Sequence, residues 1–249
     1  MEKVAMTLSV IKLGNKKQKN IFLDKVKTLL PEGGNLNSCL TCGACASGCP
    51  ATGLENMDPR KFLRMAALGM DEEIAKSDWP WMCTMCQRCI YVCPMQIDIP
   101  QIVYNIRALR PRDQRPRGIL GSCDMAVKND TNSAMGATQE DFNFVVEDVL
   151  EQYREEQPEF EKMDAPIDKV GAEFFLNQNS REPVTEADEM VPLWKILHLA
   201  GVDWTYGGKG WAGENYCMFL ADDDAWEHVV QNQADQTHKL KCKTYLNTE

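Results

Sequence analysis

No apolar run in the chain approaches the roughly 20 residues that a helix needs to cross a bilayer, so any membrane role must come through a partner. The amino terminus, MEKVAMTLSVIKLGNKK, has no apolar stretch leading into a small-residue cleavage site. The reading is therefore of a cytoplasmic protein in a reducing compartment, which argues against a disulfide framework. Histidine is scarce. His198, His228 and His238 are the only three, and none falls in an H-x-x-x-H or H-E-x-x-H spacing, so they read as structural or solvated. The GGKG of residues 207–210 lacks the Lys-Ser/Thr ending of a P-loop, and no G-x-G-x-x-G is present, which leaves nucleotide binding unsupported. Positive charge is also short. Against 37 acidic residues stand 27 Lys and Arg, and a net charge of −10 argues against nucleic acid as the main partner.

Cysteine is abundant and patterned. Cys39, Cys42, Cys45 and Cys49 precede Pro50, and Cys83, Cys86, Cys89 and Cys93 precede Pro94. Each quartet reads C-x2-C-x2-C-x3-C-P, the run that binds a [4Fe–4S] cluster in two-cluster ferredoxins. A cubane needs four thiolates at its corners, and one tight loop can wrap three of them. In this motif the fourth cysteine ligates the other cluster. The expected ligands are Cys39, Cys42, Cys45 and Cys93 for one cluster, and Cys83, Cys86, Cys89 and Cys49 for the second. Zinc sites use paired C-x2-C or Cys/His sets rather than repeated quartets ending in Cys-Pro. Pro50 and Pro94 are expected to shape the turns and shield the clusters. Met82, Met85, Ile90 and Val92 are expected to line the cluster pocket and help set its potential.

Along the chain, residues 4–13 read as a strand and 20–30 as a short amphipathic helix. Asp58-Pro59 caps a helix through RKFLRMAALG, and a second short helix covers Asp71 to Lys76. The 33 residues between Cys49 and Cys83 exceed what a compact β-hairpin ferredoxin needs, so a helical dicluster domain is expected over 36–110, after an N-terminal segment 1–35. Ile99-Pro100 opens its last helix, which Pro111 closes. Residues 111–165 read as a connector rich in Pro, Gly and polar residues, followed by a helix that Thr138 and Asp141 cap. Residues 166–249 alternate: strand AEFFLN, helix VPLWKILHLAG, strand VDWTY, a helix opening on three aspartates, strand CKTYLNT. The expected fold class is α+β: a helical ferredoxin domain followed by a partial α/β domain. Seven lysines up to Lys27 and five arginines from Arg107 to Arg117 suggest a basic strip for an acidic partner, or a merely solvated face.

This order of parts, with LAGVDWTYGGKGWAGENY and LADDDAWEHVVQNQADQTHKLKCKTYLNTE, resembles the heterodisulfide reductase family. The likeness is to its D-type subunit and to the K subunit of the membrane complex linked to dissimilatory sulfite reduction. It implies anaerobic sulfur respiration in which electrons pass singly through two [4Fe–4S] clusters toward a thiol/disulfide site. It also implies partner subunits, among them a membrane quinone or haem subunit that would hold the chain at the membrane. Such proteins carry CCG cysteine modules, so the α/β part is expected to be an incomplete domain of that type. No Cys-Cys-Gly occurs here, and the expectation is of a fragment or a chain completed by another polypeptide. No catalytic residue is assigned. Cys123 reads as a plain cysteine, and Cys217 and Cys242 as α/β core residues. The alternatives are the iron–sulfur subunit of a succinate dehydrogenase, glycolate oxidase or hydrogenase-linked complex, and a free ferredoxin-like carrier. The dehydrogenase branch would favour a [2Fe–2S] quartet before the cubanes, and Cys39 is the first cysteine. A simple carrier would not need the α/β appendage.

Overall fold

The computed structural model describes residues 36–248. The strand expected at 4–13 and the helix expected at 20–30 lie outside the described residues. The chain divides into two compact units, one ending at Arg110 and one beginning at Pro111.

The first unit is helical. Its elements are α1 (Ala44–Ser47), α2 (Pro59–Ala67), α3 (Asp71–Lys76), α4 (Trp79–Met82), α5 (Arg88–Tyr91) and α6 (Ile99–Leu109). Helix α2 starts where the sequence sets it. Asp58 accepts the Lys61 N–H at 2.8 Å, and Pro59 sits where its missing N–H costs nothing. Asp98 caps α6 in the same way, on the Gln101 N–H at 2.9 Å. Phe62, Leu63 and Ala66 from α2 meet Ile74, Trp79, Ile102, Val103 and Ile106 in one core. Trp79 lies 5.0 Å from the Phe62 ring, and its Nε1 donates to the Ala51 carbonyl at 3.1 Å. That bond ties the lead-in of the second cysteine loop to the tail of the first.

The second unit holds α7 (Arg117–Lys128), α8 (Gln139–Glu156), β1 (Phe174–Leu176), α9 (Arg181–Thr185), α10 (Val191–Leu199), β2 (Trp204–Tyr206), α11 (Tyr216–Leu220), α12 (Asp223–Lys239) and β3 (Thr244–Leu246). The three strands are parallel in the order β2-β1-β3, with Phe175 opposite both Thr205 and Tyr245. Parallel neighbours need crossovers, and α9 and α10 make one while α11 and α12 make the other. The described residues are thus mostly helical with one small sheet. Thr138 and Asp141 form a reciprocal capping box at the start of α8. Phe142 of α8 stacks on Trp211 at 4.2 Å and meets Tyr206 edge-on.

Two readings need correction here. The segment taken as a connector contains the helix α7. Its Cys123 and Ala126 are buried, whereas a Cβ at Gly118 or Gly121 would meet nothing, so one small apolar stripe makes the helix despite its glycines. Three of the five arginines expected in a basic strip are taken up within their own unit. Arg107 is buried, Arg112 bridges Asp124 and Asp222 at 2.6 Å each, and Arg115 donates to the carbonyls of Leu220 and Ala221. The GGKG segment is built for close packing. A Cβ at Gly208 would overlap the Gln139 side chain, and Lys209 pairs with Asp130 at 2.6 Å.

Candidate metal centre

The two cysteine loops have the same backbone form. Thr41 and Gly43 take positive φ, 56° and 85°, and the equivalent Met85 and Gln87 take 56° and 63°. A short helix follows each. Ala46 N–H donates to Gly43 O and Ile90 N–H to Gln87 O, both at 2.9 Å, and the turns after the fourth cysteines close on the Cys49 and Cys93 carbonyls. Alternating left-handed residues build concave backbone sites that present N–H groups to anionic centres, iron–sulfur clusters included. Here the backbone N–H of Met85 serves the Cys83 sulfur, that of Arg88 serves Cys86, and those of Cys45 and Ala46 serve Cys45.

The cysteines fall into two groups that cross between the loops. Cys39, Cys42, Cys45 and Cys93 line one cavity, with Leu63, Met95 and Ile97 as its apolar wall. Burial, and then the neighbouring Cys39 and Cys93, push the Cys45 thiol up to about 11. In the other group, burial and then Cys83 push the Cys89 thiol up to about 12, with Cys49 and Cys86 adding to it. Burial also raises Cys83, against the N–H of Met85 and the charge of Arg107. Cys86 is lowered, first by the Arg88 N–H. The middle cysteine of each run, Cys42 and Cys86, is the exposed one. Among the described residues no three His, Cys, Asp or Glu side chains converge as on a single ion. Cysteines that surround a space, supported by N–H groups aimed at sulfur, fit the corners of a cluster. Buried thiolates also need the compensating charge that iron would bring.

None of the expected lining residues Met82, Met85, Ile90 and Val92 borders the cavity of the first loop. Met82 packs against the core and Met85 lies within the second loop, but Val92 is 43% exposed. It caps the C-terminal end of the short α5, and Leu63 and Ile97, brought in from outside the cysteine runs, line the first loop's cavity. Cys217 is fully buried, as expected, and its Sγ points at the Cys123 carbonyl at 3.8 Å. Cys123 is fully buried too, whereas Cys242 is only half-buried in the turn before β3, not in the core. Sequence reasoning missed the role of Arg107. Its signal was a charge one turn after Val103 on the apolar face of α6.

Residues 35–97 match the family model described as a 4Fe-4S dicluster domain. The chain carries such a domain. Eight cysteines in its two C-x2-C-x2-C groups imply two [4Fe–4S] clusters. The chain is also related to the C-type iron–sulfur subunits of heterodisulfide reductases. It is 37% identical over 75 residues to the C2 subunit of the H(2)/formate:CoB-CoM heterodisulfide,ferredoxin reductase of Methanococcus maripaludis, covering 30% of this chain and 40% of that protein. It is 34% identical over 104 residues to the second C-type iron-sulfur subunit of the CoB--CoM heterodisulfide reductase of Methanocaldococcus jannaschii, covering 40% and 55%. With the C-type subunit of the ferredoxin:CoB-CoM heterodisulfide reductase of Methanosarcina mazei the identity is 29% over 112 residues, covering 42% and 69%. The matched part thus spans 40% and 55% of the length of the first two of these relatives. No helix among the described residues is long and apolar enough to cross a membrane.

Proposed function

We propose that this chain relays electrons within a heterodisulfide reductase-like oxidoreductase, holding one [4Fe–4S] cluster on Cys39, Cys42, Cys45 and Cys93 and a second on Cys83, Cys86, Cys89 and Cys49. The observation that carries the reading is the crossing: Cys93 lines the cavity of the first loop, and Cys49 acts on the thiols of the second. When bound, each cluster supplies a one-electron couple. The protein's part is to hold and insulate the two sites. The left-handed turns direct N–H groups at the sulfurs, Leu63 and Ile97 exclude water, and the crossed fourth ligands keep the loops together. Cys42 and Cys86 are the exposed corners at which a donor or acceptor approaches.

The finer reading is of the D-type or K-type branch, in anaerobic sulfur metabolism. There the thiol/disulfide chemistry belongs to CCG modules that these residues lack, and the small parallel sheet would be part of such a domain. The partners would be other subunits of the redox complex, including a membrane quinone or haem subunit, with the chain on the cytoplasmic side. The test is anaerobic reconstitution of the full chain, with iron and sulfide analysis and assay with reduced viologen. The expected product holds about eight irons, two cubanes' worth. It takes electrons from the dye and does not turn over a disulfide by itself. A stable product with zinc, or with about half that iron, would sink the two-cluster assignment.

A further inference from the structure

Arginine is rarely buried unless its donors are met, yet Arg107 is 1% exposed in the last turn of α6. Its guanidinium is held against the second cysteine loop. Nε donates to the Pro80 carbonyl at 2.9 Å, and Nη2 donates to the Pro80 and Cys83 carbonyls at 2.7 and 2.5 Å. Nη1 faces the Met85 sulfur at 3.7 Å, and the Trp81 ring lies 5.4 Å away. Each of these groups is neutral, and together they fix the position of the charge. Arginine keeps that charge at any working pH.

The first loop has a different cation. Arg60 lines its cavity, but its side chain is 48% exposed and Asp58 lies 3.9 Å from it. Water and a carboxylate screen that charge, whereas a buried charge is screened little.

We propose that Arg107 raises the reduction potential of the site on Cys49, Cys83, Cys86 and Cys89, making it the preferred resting place of the first electron. The proposal rests on the two-cluster reading. Adding one electron makes a thiolate-held site more negative, and a fixed cation beside the Cys83 carbonyl favours that state. At the first loop the exposed Arg60 gives little of the same help. The difference orients transfer between two sites that have the same ligand set.

The test is an EPR-monitored redox titration of the full reconstituted chain, with each signal assigned by Cys42→Ser and Cys86→Ser. Arg107→Gln keeps amide donors for the carbonyls and removes the charge. It is expected to lower the reduction constant of the second site about tenfold, ~59 mV for one electron, and to leave the first site in place. Arg107→Lys keeps the charge without the fork and is expected to stay close to wild type. A fully loaded Arg107→Gln chain with an unmoved second site overturns the proposal and leaves the two-cluster reading standing. A wild type that lacks the second cluster brings down the reading itself. Should Arg107→Gln fail to load, Arg107→Lys decides. A loaded chain with the wild-type value supports the charge, whereas a lowered value, or loss of the second cluster, assigns the role to hydrogen bonding and overturns the proposal.

Discussion

Where the first cysteine loop places Gly43 at its second left-handed position, the second loop places Gln87. The first is walled by Leu63 and Ile97 with an exposed Arg60 at its rim; the second is backed by the buried Arg107 and by Trp81. Two copies of one ligand motif thus share their turns and differ in the residues behind them. The turns answer to the shared requirement, four sulfurs at fixed corners. The backing residues are free to differ, and through them two equal sites acquire unequal electrostatics.

The comparison breaks most sharply at the fourth cysteines. With crossed ligation, Cys49→Ser should strip the second site and Cys93→Ser the first, each costing about four irons, one cubane. Iron analysis with EPR of the reduced chain checks this. If Cys49→Ser removes the signal of the Cys39, Cys42 and Cys45 loop and spares the other, the ligands are not exchanged.

A middle-sized effect separates the turns. Gly43 has φ 85°, a value a side chain rarely adopts, so Gly43→Gln should destabilise the first site by about 1–2 kcal/mol. Gln87→Gly relieves a similar strain at φ 63° and adds freedom to the unfolded chain, so its net effect should stay below about 1 kcal/mol. The rate at which visible absorbance bleaches in urea reads both. Equal bleaching in the two variants would show that the turns are not held to one conformation.

The smallest effect is expected at the rim. The Arg60–Asp58 pair is 3.9 Å apart and half in water, so Arg60→Met should change stability by less than about 1 kcal/mol, and less still in high salt. Its effect on the first site's potential should fade with added salt, whereas that of Arg107→Gln on the second should not. A salt-independent shift at the first site would erase the distinction drawn between exposed and buried cation.

Much of the first unit was legible in the sequence because its signals are local. A cysteine run with fixed spacing must form a tight loop, and Asp58-Pro59 and Asp98 start helices through bonds within one turn. The same holds in the second unit for the capping box at Thr138 and for the strands around Phe175 and Thr205, whose residues suit a buried sheet. The helix α7 was not legible, because Gly118, Gly121 and polar neighbours outweigh its small apolar stripe until Cys123 and Ala126 are covered. Nor was the fate of the arginines, since Arg107, Arg112 and Arg115 read as one basic strip while each bonds a different part of the chain.

The sequence by itself determined the kind of centre, since eight cysteines in two repeated runs imply two clusters whatever surrounds them. It also determined the helices and strands whose caps and periodicities lie within a turn or two. Only the tertiary structure decided which cation is buried and which is wet, and that the glycines of residues 207–210 serve close packing. The physical reason is range. Ligand type and capping are properties of neighbours in the chain, whereas burial, and the strength of a charge that depends on it, belong to residues that meet only when the chain has folded.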